Sequence, residues 1–207
     1  KESVDQDLVR LHERCVAPLL YERHLFAETQ HFELYDFSTQ HHHINENVFA
    51  YSNRSGGECV LVLYNNSFES TRGELSLGAQ RNVGTAEVPQ MVQHSPVEGL
   101  ALVNRSDVFY RCENVITGLE HLFRGSDFAS RGEAFSLSGY QVIVWRGFER
   151  LEGPTDLLES LKQRLGTEGV SDLSYELRIL ELGTHITAWD TTHQHIIAQH
   201  TAHHSNT

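Results

Sequence analysis

From Val4 to Leu25 the apolar positions Val4, Leu8, Leu11, Cys15 and Leu19 recur at steps of three and four residues. That period places them on one stripe of an amphipathic helix, which Pro18 should end or kink near Val16. Such a helix is marginal in water by itself, so its stripe needs a partner surface. Beyond it the period drops to two. Phe32–Phe37, Val48–Ser52 and Cys59–Tyr64 read as strands, the last two joined by the glycine turn Asn53-Arg54-Ser55-Gly56-Gly57. Glu74–Leu77 reads as a fourth strand, and Val97–Leu102 as a short helix after the breakers Pro89 and Pro96. Val108–Cys112 and Leu119–Phe123 predict a second hairpin across Thr117-Gly118. Phe135–Leu137 and Tyr140–Trp145 predict a third across Ser138-Gly139, and the unbroken run Val142-Ile143-Val144 predicts a strand covered on both faces.

The helical period returns near Asp156. Leu157, Leu158, Leu161 and Leu165 form a stripe, Asp156 and Glu159 have capping-box spacing, and Gly166 sits where a C-terminal cap belongs. A second helix over about 172–182 carries Leu173, Leu177 and Leu180 and should stop at Gly183. Residues 184–207 are polar and His-rich without periodicity, which predicts a disordered tail. The fold class is therefore mainly β: an antiparallel β-sandwich flanked by an N-terminal helix and a C-terminal helical pair.

Composition narrows the function. The formal net charge is −12, with no basic stripe, which argues against nucleic acid. No apolar run approaches the ~20 residues of a membrane span. Cys15, Cys59 and Cys112 are too sparse for a disulfide framework or a zinc site and read as buried thiols of a reducing compartment. Each of Asn53, Asn65 and Asn104 opens an Asn-x-Ser triplet, and the first residue is Lys1, consistent with a processed or partial chain.

The order of the phrases carries more. A helix leads into Phe32-Glu33-Leu34-Tyr35-Asp36-Phe37, then Asn45-Glu46-Asn47-Val48-Phe49-Ala50-Tyr51-Ser52, then Val60-Leu61-Val62-Leu63-Tyr64-Asn65-Asn66-Ser67. Thr117-Gly118-Leu119-Glu120 and Leu137-Ser138-Gly139-Tyr140-Gln141-Val142 follow. This succession resembles the C-terminal region of a bacterial α-amylase-family enzyme (glycoside hydrolase family 13-like), over roughly Leu8 to Leu182. The resemblance implies that residues 1–27 are the last helix of a missing catalytic barrel and 28–152 a C-terminal β-sandwich domain. It leaves 153–183 as a helical extension and 184–207 as the His-rich tail. It also implies that the partner is the N-terminal (β/α)₈ domain of the same polypeptide and that the substrate is an α-glucan; the cytoplasmic setting is expected from the free cysteines. The family's Asp, Glu, Asp catalytic trio sits on barrel strand ends. None of the matching segments is such a strand, so no catalytic, cofactor or metal residue is carried over and the chain alone is expected to be inactive.

Two rivals come from other classes. A freestanding carbohydrate-binding module would expose two or three of Tyr35, Phe49, Tyr51, Tyr64, Tyr110, Tyr140 and Trp145 on one face, although core packing suits such residues as well. A His-rich metal-binding protein would use His41-His42-His43 and the tail residues His193, His195, His200, His203 and His204. The carboxylates Asp36, Glu46, Glu58, Glu69, Glu113 and Glu120 lie in or beside the strands. Retaining hydrolysis would need two of them about 5–5.5 Å apart, while solvated strand-edge positions are their ordinary place.

Overall fold

The computed structural model describes residues 5–40, 43–186 and 189. Pro18 acts as its chemistry requires: helix α1 (Gln6–Cys15) ends before Val16, and the chain resumes in two short helices, α2 (Ala17–Tyr21) and α3 (Arg23–Ala27). The strands follow: β1 (Glu33–Thr39), β2 (Val48–Ser55), β3 (Glu58–Asn65), β4 (Thr71–Gly78), and a small outlying pair β5 (Arg81–Asn82) and β6 (Met91–Val92). After the one-turn helix α4 (Pro96–Gly99) come β7 (Phe109–Asn114), β8 (Leu119–Arg124), β9 (Ala134–Leu137) and β10 (Val142–Leu151). Helix α5 (Thr155–Leu165) and helix α6 (173–186) close the described chain.

Eight strands form one antiparallel sheet in the order β8-β7-β10-β3-β2-β1-β4-β9. The β2–β3 hairpin forms as the glycine turn predicts, with Ser55 opposite Glu58 and positive φ at Gly56 and Gly57. The β7–β8 hairpin forms as well. The third predicted hairpin does not: β9 pairs with β4, whereas β10 lies between β3 and β7. Ser138–Gln141 is therefore an arch. Five strand spacings of ~4.8 Å separate β10 from β9 along a flat sheet, about 24 Å. The five Cα steps from Leu137 to Val142 reach at most ~17 Å, so the sheet must curl. Asn65 holds the arch by donating from Nδ2 to the carbonyl of Ser138 at 2.9 Å and to that of Glu69 at 2.7 Å.

All eight strands feed one inner core, which includes Phe37, Ala50, Leu61, Leu63, Leu75, Cys112, Phe123, Phe135 and Trp145. The outer face of β7 and β8 is covered by α5 and α6 through Phe109, Leu122, Leu158, Leu161 and Leu173. Val144 of β10 packs outward with Leu25, Val60 and Val62 while Ile143 and Trp145 pack inward, so this strand is buried on both faces as expected.

The C-terminal helices depart from expectation in two ways. The N-cap of α5 is Pro154 without a side-chain cap, so the Asp156/Glu159 capping box is absent. Glu159 accepts instead from Arg124, 35 residues away, with Nε at 3.0 Å. Gly166 caps α5 with φ +60°, but Gly183 does not stop α6, which continues through residue 186. The predicted boundary of the tail therefore moves. His41, His42, His193, His195, His200, His203 and His204 lie outside the described residues.

Candidate interaction surface

The alternation within β2 and β3 positions the most distinctive surface. Val48, Ala50 and Ser52 point into the core, which sends Phe49 and Tyr51 outward. Register then lines up two rows across the outer face. One row runs Leu34 (β1), Tyr51 (β2), Val62 (β3) and Val144 (β10); the other runs Phe49, Tyr64 and Val142. Phe49 and Tyr64 are stacked, with ring centroids 6.2 Å apart and planes inclined by 17°. Phe32 and Tyr51 lie 5.5 Å apart at 34°.

Helix α3 sets one wall of this face. Leu25 is buried against Val60, Val62 and Val144, and Leu19 and Phe26 flank it. Two polar contacts fix that wall. The buried Asn53 of β2 donates from Nδ2 to the carbonyls of Leu25 (2.9 Å) and Glu28 (2.5 Å), satisfying the end of α3. Arg146 of β10 pairs with Glu22 at the α2–α3 junction. Between wall and strands lies an open groove of about 590 Å³, lined only by apolar and aromatic residues. Phe32, Leu34 and Phe49 are 40%, 44% and 46% exposed. Val16, at the α1–α2 junction, and Leu20 and Tyr21 of α2 are exposed as well. The side chains of Leu8, Leu11 and Cys15, which would complete the predicted stripe on α1, lie outside the described residues. An open apolar groove of this kind, on a chain with 28 acidic residues, is the candidate interaction surface.

The aromatic candidates divide cleanly. Tyr35, Tyr110 and Trp145 are buried. The Tyr35 hydroxyl is 2.6 Å from Ser52 Oγ, and burial pushes its ionisation upward. Phe49, Tyr51 and Tyr64 border the groove, and Tyr140 stands exposed on the arch.

Three of the six carboxylates, Glu58, Glu113 and Glu120, line one cavity of about 340 Å³ together with Glu149, Arg111 and Arg146, and the other three stand apart from it. Asp36, Glu46 and Glu69 are exposed, and Glu58 lies 3.2 Å from His24 Nε2. Glu113 and Glu120 face each other across β7 and β8, but arginines hold both. Arg146 reaches Glu113 (3.3 Å); Arg111 reaches Glu120 (3.3 Å) and Glu149 (2.5 Å). Alternating cations and anions on a strand surface form an ion-pair lattice, which is the opposite of an isolated, poised acid–nucleophile pair.

Cys59 and Cys112 are buried free thiols; burial pushes Cys59 up to about 11 and Cys112 well above its ordinary value. Such thiols are poor nucleophiles and poor metal ligands at neutral pH. Among the described residues no group of three or more His, Cys, Asp or Glu is arranged to hold a metal ion, and no helix is long and apolar enough to cross a membrane.

Sequence reasoning named Phe49, Tyr51 and Tyr64 but not the groove. The available signal was that β2 and β3 are apolar on both faces, which requires a second cover. Compared with protein-family models and with curated proteins, the chain has no match in either.

Proposed function

We propose that this chain is the C-terminal β-domain of an α-amylase-like glycoside hydrolase acting on α-glucans, and that its work is to cap and stabilise the catalytic barrel. The open groove between α3 and strands β1, β2, β3 and β10 carries the reading. It is apolar, broad and continuous with the N-terminal helices, as a face built to lie against another domain should be. On this reading the curled sheet is a β-sandwich, and residues 1–27 belong to the end of a (β/α)₈ barrel. The arginine-held carboxylates belong to a domain without catalytic duty, and the chain alone is inactive in a bacterial cytoplasm.

The coding sequence directly upstream of Lys1 tests this. An open reading frame for a barrel carrying the family's three acidic residues at strand ends supports the proposal; an upstream domain of another class, or a start codon at the chain, defeats it.

One observation favours a second reading. The near-parallel Phe49–Tyr64 pair, half open to solvent, could stack on the apolar faces of glucose rings. A carbohydrate-binding module would use that pair directly, and retention on amylose would separate the two readings.

A further inference from the structure

We infer that the cavity beneath the tip of the β2–β3 hairpin is an anion-binding site, with Arg54 as its principal cation and a small oxyanion, phosphate or carboxylate, as its ligand. The inference does not rest on the glycosidase reading. Five arginines are half-buried among the described residues: Arg54, Arg81, Arg111, Arg124 and Arg146. Four of them are held by carboxylates. Arg81 meets Glu33, Arg111 meets Glu120 and Glu149, Arg124 meets Glu159 and Asp127, and Arg146 meets Glu22 and Glu113. Among the described residues Arg54 has no such partner within ion-pair distance, in a sequence that carries 28 acidic residues. A partly desolvated guanidinium stays charged and is costly to leave without an anion.

The surroundings leave that charge without a close counter-ion. Arg54 Nη2 lies 3.3 Å from His31 Nδ1. Since guanidinium can only donate, that nitrogen accepts and the imidazole supplies no negative charge. Arg54 Nε is buried without a hydrogen-bond partner. Arg150, which lies 3.7 Å from Glu152, lines the same cavity of about 460 Å³, as does the exposed Glu28, which is not within ion-pair distance of Arg54. Phe148 and Leu102 contribute an apolar lining, which strengthens charge-assisted hydrogen bonds. The planar fork of arginine suits two oxygens of one oxyanion. With a net charge of −12 the protein as a whole repels anions, so binding here would require this local arrangement.

The test is titration of the 207-residue chain with inorganic phosphate at low ionic strength, followed by calorimetry, with acetate as competitor. Saturable 1:1 binding is expected, weakened roughly 10- to 100-fold in Arg54→Gln, in line with loss of a charge-assisted contact. Competition by acetate identifies a carboxylate ligand and failure to compete identifies phosphate; either upholds a site. The Arg54 Nε–H resonance of the unmodified chain supplies a readout independent of whether the variant folds, and it should shift along the same isotherm. Absence of saturable binding up to about 10 mM phosphate, equal binding by a folded Arg54→Gln, or an unmoved Arg54 resonance would overturn the inference.

Discussion

Phe123, on one edge strand of the sheet, and Phe135, on the other, have ring centroids only 6.1 Å apart. Strands at opposite ends of an eight-strand order meet only if the sheet curls until its two margins share a core. Phe123 is also in edge contact with Phe128 and Trp145, both at 5.0 Å. Truncating Phe123 to alanine should cost about 3–5 kcal/mol, as for other large buried aromatics. A Phe123/Phe135 double-mutant cycle should show coupling of about 0.5–1.5 kcal/mol. Denaturant unfolding checks both, and strictly additive effects would contradict the curled arrangement.

Gly139 sits where the arch presses on the loop before β4. A Cβ built there would stand 2.2 Å from the carbonyl oxygen of Phe68, a backbone atom with little room to retreat. Gly139→Ala should destabilise the chain by about 1–3 kcal/mol through backbone displacement. A thermal midpoint equal to that of the unmodified chain would contradict the close approach of Gly139 to the Phe68 carbonyl.

What was legible in the sequence was whatever depends on near neighbours. The β2–β3 and β7–β8 hairpins, the break at Pro18 and the cap at Gly166 are all local, and all formed as their residues dictate. The short Ser138-Gly139 link between two apolar runs looked equally local, yet it is not a hairpin. The β9 edge is taken by β4, and Asn65, far away in sequence, holds the arch. Strand partnership of that kind leaves no periodic trace. The capping box failed similarly, because Arg124 competes for Glu159 across 35 residues. The groove was half legible: Phe49, Tyr51 and Tyr64 announce an apolar outer face, but only pairing brings Val142 and Val144 beside them. That no described carboxylate meets Arg54 could not be read at all, because it depends on where distant strands place their side chains.

Lys162 is 2% exposed and lies 3.2 Å from both Asp127 and Glu133, with its ammonium 4.9 Å from the Phe123 ring centroid. Removing one partner from a buried charge cluster leaves the others uncompensated. Lys162→Met should therefore cost about 3–5 kcal/mol. Adding Asp127→Asn in that background should cost less than it does alone, because the lost lysine no longer needs its anion. Equilibrium unfolding of the single and double variants measures the difference.

His121 should make the fold acid-sensitive. Burial lowers its pKa below 6.5; the Thr167 carbonyl, 3.1 Å from Nδ1, opposes the shift, and the Lys162 charge reinforces it. The unfolded chain thus takes up this proton first. The stability contributed is complete above about pH 6.5 and is lost as pH falls towards the lower folded value. His121→Gln should flatten that part of the profile relative to the unmodified chain. Since the chain has 14 histidines, the informative quantity is the difference between the two unfolding profiles from pH 7.5 to 5.5, not either slope alone.

The groove offers a test that separates domain docking from sugar binding. Phe49 is 46% exposed and stacks on Tyr64, so Phe49→Ala should change the stability of the isolated chain by only about 1 kcal/mol. If the face covers another domain, the substitution should leave amylose retention of the isolated chain unchanged and low. The same change should lower the thermal midpoint of the longer polypeptide, where Phe49 would be fully buried. If the face binds glucan, the isolated chain should be retarded on an amylose gel, and Phe49→Ala should weaken retention roughly tenfold, the loss expected for one stacking ring. Affinity electrophoresis on the isolated chain, paired with melting of the longer polypeptide, distinguishes the two because the docking face is lost to solvent only when its covering domain is absent.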